Sequence, residues 1–172
     1  MYIPNLTYVG KGMSITYKDI VKARADLQEK YAKRQQLLQS CAQKLFASYR
    51  DSLSLENPQW KNSEGTTREY VSIGTVKNDG KFESCSPLSL RMNEGYSLNF
   101  ALSTVLDDNP YTGGGYYIVN VSMKITNGAL TLKLGGQVDL AILSFDSVES
   151  YLEASSIIKQ IIMVGLNDEA LD

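Results

Sequence analysis

Apolar and polar residues alternate along much of the second half of the chain. In the stretch YSLNFALSTVL, the side chains of Leu98, Phe100 and Leu102 fall on one side, with Asn99 and Ser103 on the other. The stretch YYIVNVSMKI follows the same pattern, which is that of a β-strand with one buried and one solvated face. The residues predicted to face inward in this region are Leu98, Phe100, Leu102, Leu106, Tyr117, Val119, Val121, Met123, Ile125, Leu130, Leu132, Leu134, Val138, Leu140 and Ile142.

Short turn sequences separate these alternating runs, and the alternation begins at residue 67. NDG at 78–80, NEG at 93–95 and TNG at 126–128 are typical of tight turns between antiparallel neighbours. Pro87 has no amide hydrogen to donate, so its strand is predicted to lie at an edge or to be broken there. Gly135 and Gly136 predict a bulge or a sharp bend. We therefore predict an antiparallel meander of about four to six strands over residues 67–142.

A long helix is predicted before the sheet, over residues 16–54. Thr16 and Asp19 have the spacing of a capping box, and no Gly or Pro follows until Pro58. The helix is predicted to lie across the sheet with a wet outer face. Its polar middle, QEKYAKRQQ, is predicted to project into solvent or to meet a partner. The alternative is a self-associating helix, although Arg34 on the seam argues against a sustained coiled coil. The residues that share one side are Ile20, Leu27, Tyr31, Leu38, Cys41, Leu45 and Tyr49.

A second helix is predicted over residues 146–165, with Asp146 and Glu149 as its capping box. Its second half, IIKQIIMV, is apolar nearly all round, so it is predicted to be buried on two sides. It is buried either between the sheet and the first helix, or in a subunit interface that would include Ile158, Ile161 and Ile162. With an N-terminal arm at 1–15 and an acidic tail at 166–172, the chain is predicted to be a single α+β domain over residues 1–172.

The glycine-rich loop DDNPYTGGG precedes a strand, whereas a phosphate-binding loop precedes a helix. It also lacks the alternating acidic spacing of a calcium loop. We interpret it as a flexible hairpin loop whose glycines supply positive φ angles. Its Tyr111, and Tyr116 on the outward side of the next strand, are candidate contact residues, because tyrosine is favoured at interfaces. Ordinary strand propensity explains Tyr116 equally well.

Composition argues against several kinds of chemistry. The chain has no histidine, which removes His-based triads and almost every catalytic zinc site. No catalytic, cofactor-binding or metal-binding motif is present, and the chain is predicted not to be an enzyme. A net charge of −2 offers no broad attraction to nucleic acid or to an anionic membrane. Cys41 and Cys85 are predicted to be reduced thiols in a cytoplasmic protein, with one disulfide as the alternative.

These observations predict a non-enzymatic protein-interaction module of the small chaperone, adaptor or immunity-inhibitor type. Its partner is another protein of unknown identity, and the chain is predicted to form a homodimer without a cofactor. The candidate interaction surface comprises Tyr111, Tyr116, Ile158, Ile161, Ile162 and Arg34. One alternative is a small-molecule pocket between helix and curved sheet, with or without weak enzymatic activity. Another is a structural subunit of a larger assembly.

Overall fold

The computed structural model describes residues 14–167 and 169–171, so most of the predicted arm and part of the predicted tail lie outside the described residues. The described part contains two α-helices and eight strands, which confirms the predicted α+β class. They are α1 (Tyr17–Ser52), β1 (Gln59–Lys61), β2 (Thr67–Glu69), β3 (Val71–Val76), β4 (Phe82–Ser84), β5 (Leu98–Val105), β6 (Tyr116–Thr126), β7 (Ala129–Leu134), β8 (Val138–Ile142) and α2 (Leu152–Leu166). Short 3₁₀ turns span Pro87–Ser89, Val148–Tyr151 and Glu169–Leu171.

Six strands form one antiparallel sheet in the order β4-β3-β5-β6-β7-β8. From β5 to β8 the chain is the predicted meander. Between β4 and β5 it crosses from one side of β3 to the other, so this connection is not a hairpin. The strand that contains Pro87 is broken as predicted, because β4 ends at Ser84 and lies at the edge of the sheet. A separate two-stranded ribbon pairs Trp60 with Arg68.

The strand register places the alternating residues as the sequence predicts. Leu102 pairs with Val119, and Leu132 pairs with both Met123 and Leu140, so their side chains share a face. Leu106 is an exception: it lies one residue beyond the end of β5 and is exposed. The Gly135–Gly136 pair forms the turn between β7 and β8 instead of a bulge, and both residues have positive φ.

The chain divides into two compact units, Met1–Arg34 and Gln35–Asp172, and the prediction of a single domain stays a prediction. In the second unit, one face of the sheet packs against α2 and against the part of α1 that begins at Leu38. Ser48 of α1 and Ser155 of α2 lie 3.0 Å apart through their hydroxyl oxygens inside this core. The fully buried large side chains are Leu38, Leu45, Tyr49, Leu98, Leu102, Val119, Met123, Leu130, Leu132, Leu134, Tyr151 and Ile158.

The two helices begin differently. At α1 the predicted capping box is present: the Thr16 amide donates to the Asp19 carboxylate at 2.9 Å, and the Thr16 hydroxyl accepts from the Asp19 amide at 3.3 Å. Hydrogen bonds from Thr16 lower the pKa of Asp19. The box predicted at Asp146 is wrong, because the chain there enters a 3₁₀ turn capped by Ser147 without a side-chain bond. Helix α2 therefore starts at Leu152.

The two cysteines are not bonded to each other. Cys41 is buried on α1, and Cys85 is half-buried after β4. Burial raises the pKa of the Cys41 thiol, which keeps it in the protonated and less reactive form.

Candidate interaction surface

The six predicted interaction residues occupy different environments. Tyr111 and Tyr116 are exposed, with 87% and 51% of their surfaces accessible. Ile158 and Ile162 are buried in the core of this chain, so the prediction that they form a surface is wrong. Their side of α2 already packs on the sheet. Ile161 is half-buried against that core.

Arg34, the sixth residue, is half-buried and is the last residue of the first unit. Arg34 also lies on the predicted seam, which is the line of positions that would face the partner helix in a coiled coil. Its surroundings therefore differ from those of the exposed residues that precede it in α1.

The loop between β5 and β6 is ordered by its own side chains. The Asp107 carboxylate accepts from the Asn109 amide at 3.0 Å, and the Asn109 side chain accepts from the Tyr111 amide at 2.9 Å. Of the three consecutive glycines only Gly114 has a positive φ, which corrects the prediction for the other two. A β-carbon on Gly113 would overlap the backbone of Asn109, so this position needs glycine for space.

Two further contacts hold this loop to the rest of the chain. The Tyr70 hydroxyl donates to the Asp108 carboxylate at 2.6 Å, and the Ser63 amide donates to the Pro110 carbonyl at 2.6 Å. The hydrogen bond to Asp108 raises the pKa of Tyr70. The predicted hairpin loop is therefore a tethered one, with Tyr111 exposed on it.

A groove of about 600 Å³ lies between this loop, the β1–β2 ribbon and the outer face of the sheet. Trp60 is 8% exposed there, and its indole N–H has no hydrogen-bond partner among the described residues. Arg68, Glu69 and Tyr116 line the same groove. It combines aromatic and charged side chains.

A second groove, of about 420 Å³, lies between α2 and the sheet. Apolar atoms of Ile161 and Val164 and the carboxamides of Asn120, Gln137 and Gln160 line it. None of the described residues that line it is charged. It therefore lacks the convergent charged groups expected of a polar-ligand pocket.

The N-terminal half of α1 presents the largest departure from the predicted packing. Every residue from Ser14 to Lys33 is exposed, although the sequence predicts that this side of the helix faces the sheet. Burial along the predicted side of the helix begins only at Leu38. We call the exposed apolar residues on this side the exposed stripe: Tyr17 (82%), Ile20 (59%), Val21 (47%), Leu27 (61%) and Tyr31 (39%).

Charge is also distributed unevenly along α1. Arg24 lies within the exposed stripe, and no Asp or Glu does. The polar side of this half of the helix carries charges of both signs, on Lys18, Asp19, Lys22, Asp26, Glu29, Lys30 and Lys33. Residues 1–34 contain seven Lys or Arg and three Asp or Glu, a net charge of +4. Residues 35–172 contain ten and sixteen, a net charge of −6. The stripe is therefore an apolar surface of positive character on a chain whose remainder is acidic.

The described part of the chain contains neither a membrane-spanning helix nor a cluster of metal-ligating side chains. No helix there has the length and apolar character needed to cross a membrane. No three Cys, Asp or Glu side chains in that part converge as a metal site would require.

Comparison with known proteins adds no relative. No family model matches the chain. No curated protein and no solved structure matches it either.

Proposed function

We propose that this protein is a non-enzymatic protein-interaction module that binds its partner through the exposed stripe of α1. The observation that carries the proposal is the set of five large apolar side chains, 39–82% exposed, on one side of a helix. Exposed apolar surface rimmed by polar residues marks interaction sites in soluble proteins. An amphipathic helix that lays such a stripe into a partner's groove is a common recognition mode.

Energetics support the same proposal. Fully burying one Leu or Ile side chain contributes about 1.5–3 kcal/mol, so a partner that covers Ile20 and Leu27 gains a substantial part of a micromolar affinity. A helical segment of this length has little stability of its own in water, and a partner that covers it stabilises it. A reducing, cytoplasmic setting belongs to the proposal and is supported by the two unbonded cysteines.

The test is affinity capture from extracts of the protein's own host with matched variants. Ile20→Gln/Leu27→Gln removes apolar surface from the stripe and keeps good helix formers. Lys22→Gln/Asp26→Gln makes two changes on the polar side of the same helix with no change in net charge. We expect the first variant to lose a stoichiometric partner that the wild type and the second variant retain. Equal capture by both variants, with helicity unchanged in circular dichroism, rejects the stripe as the binding surface.

A second candidate function is small-molecule binding in the groove beside Trp60. The observation that favours it is the buried indole N–H without a described acceptor, because such a group gains a hydrogen bond from a ligand oxygen. The chain has one tryptophan and eleven tyrosines, so fluorescence excited at a wavelength that only the indole absorbs reports on this groove. A ligand found by thermal-shift screening should change that fluorescence, and Trp60→Phe should weaken its binding. A ligand that binds Trp60→Phe and wild type equally lies elsewhere.

A further inference from the structure

The second unit carries a surface whose chemistry is the counterpart of the exposed stripe. Between Leu143 and Glu153 three apolar side chains are exposed: Leu143 (84%), Val148 (37%) and Leu152 (58%). Three exposed carboxylates are interspersed with them, on Asp146, Glu149 and Glu153. No Lys or Arg occurs between Lys133 and Lys159. We call these six residues the acidic patch.

Local structure explains why these side chains face solvent. Across the 3₁₀ turn, side chains three residues apart lie one above the other, so Glu149 and Leu152 share a side of this segment. The buried side of this segment is occupied by Tyr151, whose hydroxyl donates to the Phe145 carbonyl at 3.1 Å. The remaining apolar residues therefore stay outside the core together with the carboxylates.

From this complementarity we infer that the partner of the exposed stripe is a second copy of this chain, which presents its acidic patch. The inference rests on the proposed function and names the partner. In such a contact Ile20 and Leu27 would cover Val148 and Leu152, and Arg24 would face Glu149 and Glu153. Each copy carries a net charge of −2, so the attraction is local to the contact, where Arg24 meets the carboxylates of the acidic patch.

Contact area favours two reciprocal contacts over one. From Tyr17 to Tyr31 the stripe is about 21 Å long and about 10 Å wide, so a single contact buries on the order of 400–500 Å² in total. That is below the roughly 1,200–2,000 Å² of stable interfaces, and a pair of identical contacts, at about 800–1,000 Å² in total, reaches the range of weak, transient ones. The arrangement is thus a two-fold dimer in which the exposed stripe of each copy contacts the acidic patch of the other. Its affinity is modest and falls with salt, because opposite charges on partly exposed surfaces are screened.

The experiment is sedimentation velocity of the full chain over a wide range of concentration, at low and at physiological salt, with charge-reversed variants. Arg24→Glu changes the stripe, and Glu153→Arg changes the acidic patch. Each alone should weaken self-association about tenfold or more, and the double variant should recover most of it. Asp26→Lys, on the polar side of α1, and Glu94→Arg, outside the patch, are the matched controls and should leave association unchanged.

Three outcomes overturn the inference. The first is a chain that is monomeric at every concentration. The second is self-association that neither Arg24→Glu nor Glu153→Arg weakens. The third is self-association that each single variant weakens and the double variant does not restore. Failure of the inference is separable from failure of the proposed function by affinity capture. If the chain does not self-associate and Ile20→Gln/Leu27→Gln still loses a partner of different sequence, the stripe binds another protein and only the second-copy inference fails. If the stripe variant changes neither measurement, both fail.

Discussion

Gly165 in α2 lies against the phenol of Tyr117 in β6 so closely that a β-carbon at position 165 would overlap the hydroxyl and the ring. Glycine inside a helix costs about 1 kcal/mol relative to alanine. Glycine at position 165 leaves room for Tyr117, which packs against the core. The sequence alone suggests only that Gly165 ends the helix, yet α2 continues to Leu166.

We therefore predict opposite effects of Gly165→Ala in two backgrounds. In the wild type it should lower the free energy of unfolding, because Tyr117 must move. In a Tyr117→Ala background it should raise that free energy by about 0.5–1 kcal/mol through helix propensity. Urea unfolding of the four chains of this cycle measures the coupling, and additive effects would show that the two residues do not constrain each other.

The crossover between β4 and β5 depends on one buried glutamine. The Gln39 side-chain amide of α1 donates to the carbonyls of Leu88 and Leu90, at 2.9 and 2.8 Å. Gln39→Leu should lower the free energy of unfolding by roughly 1–3 kcal/mol, because it leaves buried carbonyl groups without a donor. The control is Gln43→Leu on the exposed side of the same helix. A Gln39 variant as stable as the control would mean that these bonds contribute nothing net.

Strand periodicity gave the correct faces for most of the sheet because the period is a local property. The crossover was out of reach, since β3 pairs with β4 through a local hairpin but with β5 through residues 27–33 positions away in sequence. Ser103 shows a second limit. Its outward parity predicts a solvated residue, but Ser103 is only 7% exposed. It lines the same groove as Trp60, which belongs to the β1–β2 ribbon, and strand periodicity did not detect that ribbon.

The candidate surface was predictable only in part. The exposure of Tyr111 and Tyr116 follows from loop position and strand parity. The helical period places Leu27 and Leu38 on the same side of α1. It does not show that Leu27 is exposed and Leu38 buried, because burial depends on tertiary contacts that a local pattern does not contain. Ile158 and Ile162 illustrate the reverse error: an apolar segment indicates burial but does not say whether the same chain or a partner supplies the cover.

Alkaline pH should destabilise the fold through its buried tyrosines. The Tyr49 hydroxyl is 2.7 Å from the hydroxyl of Thr104, and burial raises the pKa of Tyr49. Burial also raises the pKa of Tyr151. Because both folded-state pKa values exceed the ordinary value of about 10, the stability that they contribute is complete below that pH and is lost as pH rises above it.

The measurement is the free energy of unfolding as a function of pH. Each buried tyrosine adds a slope of up to about 1.4 kcal/mol per pH unit above pH 10, and Tyr49→Phe should remove one such contribution. The exposed Tyr111→Phe is the control. A slope that Tyr49→Phe leaves unchanged would show that this hydroxyl ionises as readily in the folded chain as in the unfolded one.

The last prediction separates two routes to a dimer. If the C-terminal half of α2, away from the acidic patch, formed the interface, a charge on its exposed side would disrupt association, and Met163, which is 68% exposed, is the residue to change. Because we assign the contact to the exposed stripe and the acidic patch, Met163→Asp should leave the sedimentation coefficient unchanged at each concentration. Ile161→Asp should instead lower the thermal midpoint, because Ile161 packs against Gly135 and the core. A Met163→Asp chain that is folded but monomeric where the wild type is dimeric would place the interface on α2.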